Sequence, residues 1–212
     1  DFCLSRGLGD VYKRQPVPRV SIHPPDVAAV RNLLAAAENH TPVLACWLQV
    51  AATTGARRGE ICGLRWGDID FAQRSIRIER SVSATTASGV FVKTTKTGGV
   101  RRVTITAQAL DALQAQHERA ESSAQENQRV VEPDDFIFTN DPAAARPWRP
   151  ELATRRWERL RAKAGLPHVR LHDLRHFVAT ELLTEGIDVR TVANRLGHAR
   201  TSTTMDIYWA FV

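Results

Sequence analysis

Apolar residues recur at every third or fourth position along most of this chain, which is the spacing of one face of an α-helix. The first such stretch follows a Pro-Pro pair that suits a first helical turn, and it contains Val27, Val30, Leu33, Leu34 and Ala37. A second stretch follows Thr41-Pro42 and contains Leu44, Trp47, Leu48 and Ala51. Further helices are predicted in ARRGEICGLRW and at about 107–127, 151–164, 172–185, 189–196 and 202–210.

The period changes in the middle of the chain. The segments SIRIER, VFVK and VRRVTI are short, rich in β-branched residues and partly alternating, and TASG and KTGG lie between them as turns. This pattern predicts a small antiparallel sheet of about three strands. The expected fold class is α+β, mostly α-helical, with a single domain and a three-stranded antiparallel sheet at one edge.

Length and composition fit one sizeable domain. With 212 residues, of which 43% are hydrophobic, the chain can form a substantial core. Residues 1–15 have no clear period, and we interpret them as a non-native or disordered tail outside the fold. We therefore expect one domain, which begins after this tail.

The charge balance favours a polyanionic partner. The net charge is +6 and the pI is near 9.8, values that fit nucleic acid better than an acidic small molecule. Much of the excess is arginine spread over predicted helix faces, which is also typical of an ordinary solvated surface. Charge alone therefore leaves both interpretations open.

The cysteines and the hydropathy pattern indicate the compartment. Cys3, Cys46 and Cys62 are widely spaced and form no C-x-x-C pair, so we expect reduced thiols. No apolar run approaches the roughly 18 residues that a membrane span needs, and the N-terminal residues lack the order of a signal peptide. We therefore expect a cytoplasmic protein.

The segment LHDLRH places three nitrogen-rich side chains on one face of a predicted helix. His172 and His176 are four residues apart, and Arg175 lies between them on the same face. Two histidines at this spacing can bind zinc, His172 and Arg175 can bind an anion, or all three can be a partly buried polar stripe. The segment by itself leaves these three interpretations open.

Four other short motifs are informative when they are considered together with LHDLRH. They are TGARRGE at 54–60, TKTGG at 95–99, LGH at 196–198 and DIYW at 206–209. In order and in spacing the five motifs resemble the catalytic domain of the tyrosine recombinases, the phage integrase family. The resemblance covers about residues 20–212. Its most specific part is the closing pattern HDLRH, LGH and a tyrosine.

The resemblance implies a catalytic role for six residues: Arg57, Lys96, His172, Arg175, His198 and Tyr208. Glu60 matches the acidic residue that supports the first arginine in the family. Lys93 is a rival for the lysine position, but the Lys-Thr-Gly context favours Lys96. His176 then becomes a packing residue beside the site.

The chemistry of these residue types agrees with the implied roles. Guanidinium groups bind phosphate oxygens bidentately, which suits Arg57 and Arg175 to the charge that develops on an attacked phosphodiester. A tyrosine hydroxyl, with a pKa near 10, needs a partner such as His172 to act as a nucleophile at pH 7. Lys96 can protonate the leaving oxygen. A zinc site is disfavoured because Arg175 would place a positive charge beside the metal.

The resemblance implies site-specific breakage and rejoining of DNA strands through a 3′-phosphotyrosyl intermediate. It implies double-stranded DNA and other protomers as partners, with no metal, nucleotide or other cofactor. The alternatives are DNA relaxation like that of a type IB topoisomerase, a DNA-binding remnant that no longer cuts and, least favoured, a zinc hydrolase.

Integrases commonly carry an N-terminal DNA-clamping domain and a C-terminal segment that reaches a neighbouring protomer. Because only about 20 residues precede the domain and four follow Tyr208, strand exchange by this chain alone and its assembly state stay open.

Overall fold

A computed structural model describes residues 24–85, 89–94, 99–198, 202, 204 and 205 of the chain. The described helices are α1 (Val27–Glu38), α2 (Pro42–Thr54), α3 (Arg58–Cys62), α4 (Ala107–Glu126), α5 (Pro150–Lys163), α6 (Asp173–Thr184) and α7 (Val189–Leu196). A single 3₁₀ turn, Trp66–Asp68, follows α3. The helical spacing of the sequence therefore predicted these helices correctly. The interpreted tail and most of the helix predicted at 202–210 lie outside the described residues.

Helix α2 is the central helix of the core. Its buried side chains include Leu44, Trp47, Leu48 and Val50, each 0% or 1% exposed, and it packs against α1, α4 and α6. Burying each large apolar side chain of this kind contributes roughly 1.5–3 kcal/mol. The C-terminal end of α2, which leads directly into the TGARRGE segment, is therefore held firmly.

The strands form two small sheets. Strands β1 (Ile69–Asp70), β2 (Ser75–Ile78) and β5 (Arg101–Thr104) form an antiparallel sheet in the order β1-β2-β5. Strands β3 (Arg80–Thr85) and β4 (Gly89–Thr94) form a separate antiparallel hairpin. The predicted fold class, mostly helical with a small antiparallel sheet, is confirmed.

The division of the strands between two sheets differs from the single sheet that was expected. The segment SIRIER contains all of β2 and the first residue of β3, with Glu79 between them. There Arg80 contacts both Glu79 and the buried carboxylate of Asp68. The chain leaves the first sheet at Glu79, and VFVK pairs with β3 instead of with β2. The ion pair between Arg80 and Asp68 holds the first residue of β3 at this point. Asp68 precedes the strands, so the alternation of SIRIER does not reveal this contact.

A second, smaller apolar cluster joins the last two helices. Val178 and Ala179 of α6 pack with Val192 and Leu196 of α7. This contact fixes where α7 ends and therefore where the LGH segment lies. Cys46 and Cys62 are buried free thiols, and Cys3 lies outside the described residues. Among the helices that the structure describes, none is long and apolar enough to cross a membrane.

Candidate active site

Arg57 lies at the start of α3, immediately after a tight turn. Helix α2 ends at Gly55, whose φ of 61° is left-handed and favours glycine. Arg57 has extended backbone geometry, and its own N–H donates to Glu60 Oε2 at 2.9 Å. Its Nη1 donates to Glu60 Oε1 at 2.9 Å, and its Nη2 donates to the Gly197 carbonyl at 2.8 Å. The turn and these three bonds fix a guanidinium that is still one third exposed, at 34%.

Glu60 is a buried carboxylate shared by two arginines. It is 2% exposed, and it also accepts from Arg101 Nη2 at 2.6 Å and from Arg101 Nη1 at 3.3 Å. Burial acts to raise the pKa of Glu60, but the hydrogen bonds and charges of Arg101 and Arg57 outweigh it and lower the pKa. Glu60 is therefore ionised at neutral pH and neutralises part of the positive charge of the site.

Arg175 is a buried cation on the first turns of α6. It is 4% exposed, and its Nη1 donates to the Gly55 carbonyl at 2.7 Å. Its Nη2 is buried and makes no hydrogen bond within the described part of the chain. Burial, and then the charge of Arg57, lower the pKa of Arg175, although a guanidinium remains charged at pH 7. This unpartnered N–H group is a ready donor for an anion.

His172 and His176 contact each other at the start of the same helix. Their ring centroids are 4.8 Å apart and the rings are nearly perpendicular, at 88°. His172 is exposed as a whole residue, but its ring is partly buried. This burial is the main cause that lowers the pKa of His172 from 6.5 to about 4, and the nearby charges of His176 and Arg175 lower it further. His172 is therefore neutral at pH 7 and can accept a proton.

His198 follows α7 and faces the same group of charges. Gly197 ends α7 with a left-handed φ of 71°, and the His198 N–H donates to the Ala193 carbonyl at 2.9 Å. The His198 Nδ1 is 2.8 Å from Thr204 Oγ1. Burial and the charges of Arg175 and Arg57 lower the pKa of His198 to about 4. Its ring is therefore neutral at pH 7, and Thr204 fixes its orientation.

Four of the six predicted residues thus lie in one region. Arg57, His172 and Arg175 line a cavity of about 350 Å³ whose wall includes Trp47 and Leu174. His198 is close enough for the charges of both arginines to lower its pKa. Lys96 and Tyr208 lie outside the described residues. Lys93, the rival lysine, is exposed on β4 and lines an adjoining cleft together with Arg57. Across the described residues, no group of three or more His, Cys, Asp or Glu is placed to hold a metal ion.

Two further spaces lie beside this cavity. Arg57 and Arg58 line both the first cavity and a cleft of about 310 Å³ between the β3–β4 hairpin and α3. Ala84 and Glu151 line both that cleft and a third space of about 980 Å³ beside the start of α5. We call these three neighbouring spaces together the basic groove, because their exposed cations are Arg58, Lys93, Arg146, Arg149 and Arg155. The sequence analysis did not identify this groove, because its arginines come from segments that are far apart in the chain.

Comparison with known proteins agrees with the geometry. The model of the phage integrase family matches residues 26–211, and the chain belongs to this family. The chain is 30% identical over 207 residues to the ICEBs1 integrase of Bacillus subtilis, covering 97% of this chain and 55% of that protein. It is 28% identical over 171 residues to a tyrosine recombinase XerC-like protein of Caldanaerobacter subterraneus, covering 75% and 43%. The chain therefore spans about half the length of these two relatives.

Solved structures share the fold. The XerA recombinase superposes with a TM-score of 0.70 at 24% identity, covering 90% of this chain and 61% of that one. The Tn1549 transposon integrase in complex with transposon right end DNA gives 0.70 at 21% identity, covering 96% and 65%. The catalytic domain of bacteriophage HP1 integrase gives 0.58 at 20% identity, covering 89% and 88%. The match to the phage integrase family model confirms the predicted relationship, and these structures show the shared fold.

Proposed function

We propose that residues 20–212 form the catalytic domain of a site-specific DNA recombinase that breaks and rejoins strands through a 3′-phosphotyrosyl intermediate. The observation that carries the proposal is the convergence of Arg57 and Arg175 beside two neutral histidines, His172 and His198. Membership of the phage integrase family supports it. The proposed place of action is the cytoplasm.

The two arginines bind the scissile phosphate. Arg175 offers a buried Nη2 without a partner among the described residues, and Arg57 presents a partly exposed guanidinium whose direction is set by Glu60 and Gly197. Both groups are fixed before the substrate arrives, so little reorganisation is needed when charge develops on the non-bridging oxygens. His198 adds a hydrogen bond to the same phosphate.

Tyr208 is the proposed nucleophile. Its hydroxyl oxygen attacks phosphorus while neutral His172 takes the hydroxyl proton, and the bond from phosphorus to the 5′-oxygen breaks. Lys96 gives a proton to that leaving oxygen. A 5′-hydroxyl from another cleaved strand then reverses the step, so rejoining to a new strand requires a second protomer on the DNA. The bond energy stays in the protein–DNA link, and the scheme uses no cofactor.

The basic groove gives the DNA a path away from the scissile phosphate. Its exposed cations begin next to Arg57 and continue past the β3–β4 hairpin to the start of α5. A row of Arg and Lys side chains that extends from the reacting centre suits a phosphate backbone, because each phosphate carries a negative charge. Double-stranded DNA is therefore the proposed substrate.

Covalent trapping tests this proposal. On a nicked duplex whose short 5′-hydroxyl fragment diffuses away, the parent chain should accumulate a protein–DNA adduct, and Tyr208→Phe should give none while still binding DNA. EDTA should leave adduct formation intact, because arginines and not a cation neutralise the phosphate.

The outcomes separate the alternatives. Tight DNA binding by the parent without any adduct would favour the non-cutting remnant, and loss of activity on chelation with stoichiometric zinc would favour a zinc hydrolase. Relaxation of supercoiled DNA by the parent, without joining of two DNA molecules, would favour a topoisomerase.

A further inference from the structure

Arg101 connects two parts of the candidate site, although no catalytic role has been assigned to it. It lies at the start of β5, and its side chain is only 11% exposed. We propose that Arg101 is a positioning residue, which sets Arg57 through Glu60 and fixes the backbone turn that leads into His198. This inference rests on the proposed function.

The first connection runs through the carboxylate of Glu60. Arg101 Nη2 donates to Oε2 at 2.6 Å and Nη1 donates to Oε1 at 3.3 Å, while Arg57 uses the same two oxygens through its backbone N–H and its Nη1. The two guanidiniums therefore hold one buried carboxylate from two sides. Without Arg101, Glu60 would lose two of its four donors and would be held only by Arg57, so the guanidinium of Arg57 would be less firmly oriented.

The second connection runs to the end of α7. Arg101 Nε donates to the Arg195 carbonyl at 2.9 Å. A Cβ placed on Gly197 would lie 2.9 Å from Arg101 Nη1 and 3.0 Å from its Cζ, so the guanidinium packs directly against this glycine. The Gly197 carbonyl accepts from Arg57 Nη2 at 2.8 Å. Arg101 and Arg57 thus hold the same turn from two sides, and His198 is the next residue.

The neighbouring arginine provides a matched contrast. Arg102 follows Arg101 on β5, but its side chain is 62% exposed and lies 3.6 Å from Asp70 at the far edge of the sheet. Consecutive residues of a strand point to opposite faces, so the two arginines share a strand and a charge but only Arg101 faces the site. Replacing Arg102 therefore controls for the loss of one positive charge from β5.

Loss of Arg101 has a defined consequence for pH dependence. The charged groups around Glu60 are Arg57 immediately before its helix, Arg101 on β5 and Arg175 on α6, and Glu151 of α5 lines the adjoining cleft. The hydrogen bond from Arg101 is the largest influence that lowers the pKa of Glu60 against its burial. In Arg101→Gln the burial remains and the charge is gone, so the pKa of Glu60 rises. As the pH falls, Glu60 is then protonated at a higher pH than in the parent.

The test measures adduct formation on the nicked duplex against pH for the parent, Arg101→Gln, Arg101→Lys and Arg102→Gln. At pH 7 and saturating DNA, Arg101→Gln should form adduct at least about tenfold more slowly than the parent. The reduction in rate should be smaller than the roughly 10²-fold reduction that follows loss of a direct charge-stabilising donor. The fall in its rate of adduct formation at low pH, the acid limb of the pH–rate profile, should move to higher pH. Its DNA dissociation constant should change little. Arg101→Lys, which can still donate to Glu60, should recover part of the rate, and Arg102→Gln should match the parent.

A purely structural role predicts a different result. If Arg101→Gln lowers only the melting temperature, and its adduct rate and acid limb match the parent at a temperature where both are folded, the positioning role is wrong. If Arg101→Gln does not fold, Arg101→Lys decides by the same two readouts: an unchanged rate and acid limb overturn the inference. A parent that forms no adduct at all would instead reject the proposed function.

Discussion

At the scale of single residues, the site combines fixed positive charge with neutral imidazoles. Arg57 and Arg175 hold their charge in partly or fully buried positions, and that charge helps to lower the pKa of His198 to about 4. The pKa of His172 is lowered to a similar value, first by loss of water around its ring and then by His176 and Arg175. A histidine that is neutral at pH 7 can accept a proton from a nucleophile, whereas a protonated one cannot.

The first prediction concerns the acid limb of the reaction. His172 must be neutral to act as a base, so activity is lost as pH falls through its pKa. Since that pKa is lowered from 6.5 to about 4, the rate of adduct formation at limiting DNA, which reports the free protein, should stay level well below pH 6.5. A bound phosphate favours the protonated ring, so the rate at saturating DNA should begin to fall at a higher pH than the rate at limiting DNA. A rate at limiting DNA that already falls at pH 6.5 or above would count against His172 as the base.

At the scale of elements, the site depends on how closely α2, α6 and α7 approach one another. The turn at Gly55 ends α2, carries the carbonyl that Arg175 contacts, and touches the α6–α7 cluster. A Cβ on Gly55 would lie 2.4 Å from Leu196 Cδ2 and 3.3 Å from Val178 Cβ. The absence of a side chain at this position therefore lets α7 bring His198 towards the arginines.

The second prediction separates this close approach from backbone strain. Gly55→Ala must accept both a left-handed φ and a clash with Leu196, whereas Gly186→Ala, with a φ of 81°, has nothing within 4 Å of its new Cβ. Strain alone should cost Gly186→Ala about 1–2 kcal/mol in the free energy of unfolding. Gly55→Ala should cost more and should also slow adduct formation. Equal losses of stability in urea unfolding, with the adduct rate unchanged in both variants, would show that the close approach of these helices does not matter.

How far the sequence predicts this molecule depends on the distance over which a feature is encoded. Helix α2 could be predicted from local spacing, and the TGARRGE and LHDLRH motifs led to Arg57, His172 and Arg175, which the structure places around one cavity. Arg101 and its contact with Glu60 could not be predicted in this way, because the two residues are 41 positions apart and pair only after β5 docks beside α3. Local patterns predict elements and motifs, whereas ion pairs between distant segments depend on the complete fold.

At the scale of the whole molecule, exposed positive side chains lie along the basic groove. The exposed cations of the basic groove extend from Arg57 along the β3–β4 hairpin to the start of α5. Of the acidic residues that line the groove, Glu60 is already paired with arginines, and Asp141 and Glu151 are fewer than the five exposed cations. The net charge of +6 is therefore less informative than the arrangement of these unneutralised side chains. We expect the groove to set how strongly DNA binding depends on salt.

The third prediction tests that arrangement. Replacing Arg146, Arg149 and Arg155 by Gln should reduce the slope of log K against log salt by up to about 0.9 for each phosphate that the variant no longer neutralises. The matched control replaces Arg31, Arg74 and Arg119, three exposed arginines that line none of the three spaces of the groove. Both triple variants remove the same net charge. If they change the slope equally, DNA binding follows total charge and the groove has no special role.

The most direct test of the central claim is the chemical identity of the covalent link. The parent chain would be incubated with a pool of nicked duplexes whose sequence is randomised around the nick, and the trapped adduct would be digested and analysed by mass spectrometry. The account predicts a single modified peptide that carries a nucleotide 3′-phosphate on the Tyr208 hydroxyl, with a free 5′-hydroxyl on the released fragment. A link to any other residue, or a 5′-phosphate joined to the protein, would contradict it.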